Sequence, residues 1–66
     1  MPTEMHKLTR REREILGLLA RSFLYKEIGE ELGISLSTVR AHLHSIYEKL
    51  DVHSRTEAVV KFLNWK

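Results

Sequence analysis

The chain of 66 residues contains no cysteine, a single proline and only three glycines. Without cysteine, neither disulfide bonds nor thiolate–metal bonds can stabilise it, so stability must come from packed helices or from a partner chain. No apolar run approaches the roughly 20 residues that a membrane span needs. The first seven residues also lack the apolar stretch of a signal peptide. We therefore expect one small domain, without a membrane partner and located in the cytoplasm.

The chain also has little excess of positive charge, because 11 Lys and Arg are balanced by 9 Asp and Glu, which leaves a net charge of +2. This excess favours a polyanionic partner only weakly, so nucleic-acid binding has to be argued from the placement of the charges. The chain also lacks a glycine-rich phosphate loop, a nucleophile elbow, paired carboxylates and histidines spaced as metal ligands. We expect no enzyme, and no metal, cofactor or small-molecule ligand.

Apolar residues recur at helical spacing in four segments, and no segment alternates with the period of a strand. The pattern predicts an all-α, compact four-helix domain. Two of the helices begin with the signature of a capping box, Thr9 to Glu12 and Ser54 to Glu57. The predicted helices span about residues 10–21, 26–32, 36–50 and 55–64.

The most informative segment, residues 26–55, combines a short helix, a tight turn and a longer amphipathic helix. Gly29 leaves room for a close crossing in the middle of the short helix, and Gly33 suits the left-handed position that ends it. A DNA-binding helix-turn-helix requires such a compact junction between its two helices. Spacing alone leaves an ordinary helical hairpin as an equal alternative.

The outward face of the longer helix favours the DNA-binding interpretation. Ser37 and Ala41 are small enough to let the helix approach the floor of the major groove. Arg40 can donate two hydrogen bonds to guanine, and His44 can donate to a base or a phosphate. The alternative for Arg40 is an ordinary solvated surface side chain. Lys26, at the start of the preceding helix, combines a cation with free backbone N–H groups, which suits a phosphate.

A set of motifs spread over residues 8–63 matches the pattern of one family. The motifs are Leu8-Thr9-x-Arg11-Glu12-x-Glu14-Ile15-Leu16, Lys26-Glu27-Ile28, Leu32-x-Ile34-Ser35, Thr38-Val39-Arg40-x-His42, Ile46-x-x-Lys49-Leu50-x-Val52 and Ser54-Arg55-x-x-Ala58-Val59. Taken together they are highly specific. The sequence resembles the LuxR-type (GerE, or NarL/FixJ-type) DNA-binding domain of bacterial transcription regulators.

The resemblance implies a helix-turn-helix formed by the second and third helices, with helix 36–50 in the major groove of double-stranded DNA. It implies base contacts at the positions of Arg40, Ala41 and His44. The family usually has Lys at the position of Arg40. Because arginine adds a planar fork of donors, we expect the base preference to differ.

Phosphate contacts are expected around the rim of this helix. The resemblance implies them near Lys26, Thr38 and Lys49, and a tyrosine hydroxyl beside Lys26 can also contact phosphate. For each candidate the alternative is a plain surface residue. The full set of candidates is Tyr25, Lys26, Ser37, Thr38, His42, Ser45 and Lys49.

The fourth helix is apolar over more of its circumference than a small monomer needs. The resemblance implies that this helix forms a homodimer on DNA, and we assign the interface to Thr56, Val60 and Leu63. RNA polymerase is a further candidate partner of such a regulator.

Domains of this type normally stand at the C-terminus of a longer regulator, after a receiver or ligand-binding domain. We therefore interpret the chain as the output domain of a two-component response regulator. Residues 1–7 are read as a linker remnant or disordered tail, and residues 8–66 as the LuxR-type domain.

Two alternative functions stay open on the sequence. A sigma-factor region-four-like module also contains a helix-turn-helix, although the junction at residues 49–55 and the fourth helix argue against it. A helical protein-interaction module that has lost DNA binding would suit the modest net charge of +2.

Overall fold

A computed structural model describes residues 4–65, which form four α-helices preceded by a short 3-10 turn at Glu4–Lys7. The predicted all-α, four-helix fold is confirmed. Each observed helix agrees with its predicted span to within one residue at either end. The helices are α1 (Arg10–Ala20), α2 (Tyr25–Leu32), α3 (Leu36–Leu50) and α4 (Arg55–Leu63).

The part of the expected tail that the structure describes, residues 4–7, is not a tail. Met5 is 1% exposed and belongs to the core. The guanidinium of Arg13 donates to the carbonyl oxygens of Met5 and Leu8 at 3.3 and 2.9 Å, which ties this turn to α1. One apolar residue among polar neighbours creates no periodicity, so its burial left no signal in the sequence. The folded unit therefore begins before Leu8, while residues 1–3 lie outside the described part.

Helices α1 and α3 form the centre of the fold, because α1 packs against all three other helices and α3 packs against α1, α2 and the 3-10 turn. The core is apolar except for one buried acid, Glu12, which is 4% exposed. The buried apolar side chains are Met5, Leu8, Ile15, Leu16, Leu19, Ile28, Val39, Leu43, Ile46, Leu50, Val52 and Ala58.

The predicted capping box of α1 is present in full. The Thr9 hydroxyl accepts from the Glu12 N–H at 3.1 Å, and Glu12 Oε1 accepts from the Thr9 N–H at 2.8 Å. The second predicted box is only half formed. Ser54 caps the Glu57 N–H at 3.2 Å, but the Glu57 carboxylate accepts from the N–H of His53, one residue before the cap.

The turn between α2 and α3 depends on two glycines. Gly33 ends α2 in the left-handed conformation, with φ of +70°, which glycine adopts without steric cost. Gly29 is buried and accepts a hydrogen bond from the Ile34 N–H at 2.9 Å. A Cβ at Gly29 would lie 2.7 Å from the carbonyl oxygen of Ile34. The close approach expected at this glycine is therefore to the backbone of the turn.

We expect Gly29→Ala to lower the free energy of unfolding by about 1–3 kcal/mol, because the backbone of the turn must move to accept the methyl group. Gly17→Ala is the matched control, since its Cβ would meet only Phe62 Cζ at 3.5 Å, an ordinary contact. That control should be neutral or stabilising, as alanine favours helix by about 1 kcal/mol. Urea unfolding of both variants measures the difference, and equal stabilities would contradict the close approach.

Candidate nucleic-acid interface

The N-terminus of α3 carries a cluster of hydroxyl groups. Ser35 caps the helix, accepting from the Thr38 N–H at 3.2 Å. The Ser35 hydroxyl also lies 3.1 Å from that of Ser37 and 2.9 Å from that of Thr38. Ser37 is exposed and Thr38 half-buried. Hydroxyls at the positive end of a helix dipole, beside free N–H groups, form a surface that suits an anion.

The outward face of α3 brings the three predicted base-contacting residues together. Arg40, Ala41 and His44 are all exposed, and no helix of the described chain covers them. His44 Nε2 lies 3.4 Å from Glu48 Oε2, with both side chains more than 70% exposed. Such an exposed pair contributes little to stability, so His44 can leave it for another partner at small cost.

Two residues predicted to contact phosphate, Tyr25 and Lys26, are the first two residues of α2. Lys26 is exposed in the first turn. Tyr25 begins the helix and is half-buried, with its hydroxyl 3.5 Å from that of Tyr47. Burial, followed by the hydrogen bond to Tyr25, raises the pKa of Tyr47 above its ordinary value of 10.0. On α3, His42 is half-buried on the flank next to the exposed face.

The structure directs the other two predicted phosphate contacts inward, to Glu12. Lys49 Nζ lies 2.8 Å from Glu12 Oε1, and the Ser45 hydroxyl donates to Glu12 Oε2 at 3.0 Å. Together with the Thr9 N–H, these donors occupy both carboxylate oxygens. The acid at the third position of α1 therefore anchors the C-terminal half of α3, a role that the sequence analysis did not assign. The signal available in the sequence was the i,i+4 spacing of Ser45 and Lys49.

The ionisation of Glu12 is set by two opposing effects. Burial by itself would raise the pKa, but the hydrogen bonds from Lys49, Thr9 and Ser45 and the charge of Lys49 outweigh it. The pKa of Glu12 is therefore lowered from its ordinary value of 4.5. The ionised carboxylate stabilises the fold above the unfolded-state value, and this stabilisation is lost as the pH falls through the lower folded-state pKa.

The residues assigned to a dimer interface form one stripe on α4. Thr56 is exposed, Val60 is 49% exposed and Leu63 is 62% exposed. Their spacing of four and three residues places them on one side of the helix. The opposite side of α4 carries Ala58, which is fully buried.

One exposed apolar residue at the start of α3 was not among the predicted site residues. Leu36, the first residue of α3, is 39% exposed. It stands three residues before Val39 and seven before Leu43, which are buried, so it lies at the N-terminal end of the apolar stripe of α3, on the edge next to Arg40. That spacing was the signal that could have identified it.

A short helix, a tight glycine turn and a longer helix with an exposed Arg-Ala-His face define the helix-turn-helix class of DNA-binding domains. The sequence model described as "Bacterial regulatory proteins, luxR family" matches residues 6–62. The chain therefore belongs to the LuxR family of bacterial regulatory proteins, as the resemblance indicated. It is a LuxR-type helix-turn-helix DNA-binding domain of transcription regulators.

Two bacterial proteins are similar in sequence to this chain over most of its length. The spore germination protein GerE of Bacillus subtilis (strain 168) is 48% identical over 56 residues, covering 85% of this chain and 76% of GerE. The transcriptional regulatory protein LiaR of the same strain is 55% identical over 53 residues, covering 80% of this chain.

Solved structures of two related proteins have the same fold. The structure of the transcription factor GerE matches with a TM-score of 0.79 and 45% identity, covering 85% of this chain and 84% of that one. The response regulator ChrA of a heme-sensing two-component system matches with a TM-score of 0.79 and 41% identity over 82% of this chain.

The chain corresponds to a small part of the longer relatives. It spans 25% of LiaR and 27% of ChrA. Within residues 4–65, no helix is both long and apolar enough to cross a membrane.

We expect Glu12→Gln to lower the free energy of unfolding at neutral pH by about 1–3 kcal/mol, because an amide cannot accept from all three donors. The wild-type protein should lose stability as the pH falls below 4.5, the ordinary pKa of glutamate, because Glu12 becomes protonated. The variant should lose less over the same range, because its amide does not titrate. Urea unfolding at a series of pH values from about 3 to 7 measures both effects.

Glu14→Gln is the matched control for this experiment. Glu14 lies on the same helix, but its carboxylate is exposed and pairs with Arg11 at 3.5 Å. We expect a change of less than about 1 kcal/mol at neutral pH. The same stability and acid sensitivity in Glu12→Gln as in Glu14→Gln would show that the buried network does not stabilise the fold.

Proposed function

We propose that this domain binds double-stranded DNA sequence-specifically, as a dimer, with α3 in the major groove, and thereby regulates transcription. The observation that carries the proposal is the uncovered outward side of α3, where Arg40, Ala41 and His44 share one exposed face. Membership of a family of DNA-binding regulators supports it. Catalysis, cofactors and small-molecule ligands have no place in this proposal.

The base contacts follow from the chemistry of the exposed face. Arg40 presents a planar fork of donors that fits guanine O6 and N7. Ala41 has no side chain beyond Cβ, so the helix backbone can lie close to the base edges. His44 follows Arg40 by one turn and supplies a donor further along the groove, once it has left Glu48.

Phosphate contacts hold the helix in the groove. Lys26 supplies a cation at the N-terminus of α2, and the hydroxyls of Ser37 and Thr38 surround the N-terminus of α3. Tyr25 and His42 are half-buried candidates at the rim. Ser45 and Lys49 are bonded to Glu12. Their proposed role is therefore to orient α3, and a contact to phosphate would require them to share or leave that carboxylate.

We expect Arg40→Ala to weaken binding to a selected site by about 1–3 kcal/mol and to relax base preference at one position of each half-site. The reason is the loss of a bidentate contact to a base. Selection from a random duplex library defines the site, and titration of fluorescent duplexes measures the affinities of the two proteins.

Arg11→Ala removes the same charge from the exposed surface of α1 and serves as the control. It should leave base preference intact. Wild-type affinity should fall steeply as salt rises, because phosphate contacts release counterions. A uniform loss across all sequences in Arg40→Ala would make Arg40 a phosphate contact, and binding of no duplex, or binding that is indifferent to salt, would refute the proposed function.

The dimer is proposed to form through the stripe of Thr56, Val60 and Leu63 on α4. Two exposed apolar side chains on one side of a short helix suit a self-complementary contact between copies. A two-fold dimer would place two recognition helices in successive major grooves on one face of the duplex, and its operator would be a pseudo-palindrome.

We expect Val60→Glu to abolish cooperative binding to a two-half-site operator while binding to one half-site stays unchanged. The reason is the burial of a like charge from each copy at the symmetric contact. Val60→Thr, which keeps the shape, should retain most of the cooperativity. Gel-shift titrations on both operators, with circular dichroism to verify folding, measure this. Full cooperativity in Val60→Glu would place the interface elsewhere.

The wider setting is proposed from the relatives. LiaR is a transcriptional regulatory protein and ChrA a response regulator of a two-component system. We propose that this domain acts as the output domain of such a response regulator, on DNA in the bacterial cytoplasm, with RNA polymerase as a further partner. The domain as proposed includes the 3-10 turn at Glu4–Lys7, because Met5 is part of its core.

A further inference from the structure

Leu36 is an apolar side chain among polar neighbours at the start of the recognition helix. It is 39% exposed and is not one of the side chains packed against the core. Its neighbours in the sequence, Ser35 and Ser37, hold hydroxyl groups 3.1 Å from each other. A single exposed leucine needs no explanation by itself. This one is the first residue of α3, the helix proposed to enter the major groove.

Leu36 is the first residue of α3, at the N-terminal end of the apolar stripe that continues with Val39 and Leu43. Arg40 lies one turn further along, on the edge of the exposed face next to Leu36. Helical side chains lean toward the N-terminus, so Leu36 extends ahead of the first turn. The N-terminal residues of a recognition helix are the ones that reach the base edges. Leu36 therefore stands at the end of α3 that would enter the groove, about 6 Å from Arg40 along the helix axis.

The major groove offers a leucine only one apolar partner. Adenine, guanine and cytosine present polar donors and acceptors there, whereas thymine also presents its C5-methyl group. Against a polar edge, leucine excludes water without replacing the lost hydrogen bonds. Against thymine, it buries a methyl group.

We propose that Leu36 is a specificity-determining residue that selects thymine through its methyl group, within about two base pairs of the base that Arg40 contacts. This inference rests on the proposed function, because it requires α3 to enter the major groove. It assigns the side chain of Leu36 to a base and leaves its backbone N–H, at the helix N-terminus, for a phosphate.

A uracil scan of the selected duplex tests the assignment. Replacing one thymine by uracil removes only the methyl group and keeps the base pair. We expect one thymine in each half-site at which uracil weakens wild-type binding about three- to fivefold, the value of one buried methyl group. Leu36→Ala should bind the thymine duplex more weakly by a similar factor and should not distinguish uracil from thymine at that position.

Two further variants isolate the side chain. Leu36→Met keeps an apolar side chain of similar length and should retain the uracil effect. Leu24→Ala removes a leucine that is 58% exposed at the start of α2, and it too should retain the effect. Thermal unfolding followed by circular dichroism should show that Leu36→Ala is folded at the temperature of the titrations.

The outcomes separate this inference from the proposed function. If Leu36→Ala shows the same sensitivity to uracil as the wild-type protein, or if uracil has no effect at any thymine, the assignment of Leu36 is overturned while DNA binding through Arg40 stands. If the wild-type protein binds no duplex, the proposed function fails and this inference fails with it.

Discussion

The buried carboxylate of Glu12 is the interaction on which the arrangement of the helices depends. It lies at the third position of α1, where it completes the cap with Thr9, and it also binds Ser45 and Lys49 of α3. A buried charge is costly unless it is paired and fully hydrogen-bonded, so its donors have little freedom to move. The start of α1 and the C-terminal half of α3 are thereby joined at a fixed rotation of α3.

The N-terminal half of α3 is positioned by a different constraint. The carbonyl oxygen of Ile34 lies so close to Gly29 that a side chain there would not fit, and Gly33 supplies the left-handed residue of the turn. Below the helix, Val39 and Leu43 are buried in the core. With both halves fixed, the exposed face between them presents its side chains in a defined register and needs no further contact from the rest of the chain.

The sequence predicted the helices and the turn well because their signals are local: apolar spacing, N-caps and one left-handed glycine. It also predicted the exposed face of Arg40, Ala41 and His44, since that face lies opposite the apolar stripe of the same helix. It did not identify the contacts of Ser45 and Lys49 with Glu12, which lies 33 and 37 residues away and carries no sign of burial beyond its capping role. The burial of Met5 was missed for a similar reason, because one buried residue creates no period.

The carboxylates of Glu12 and Glu48 make the charge of α3 differ between its two ends. Lys49 is neutralised by Glu12, and Glu48 lies beside His44, so the C-terminal half carries no net positive charge at neutral pH. Arg40 carries the positive charge of the N-terminal half, where the helix dipole is positive as well. The helix therefore carries its positive charge at its N-terminal end, a distribution that the net charge of +2 does not show. A polyanion would therefore attract the N-terminal end of α3 more strongly than its C-terminal end.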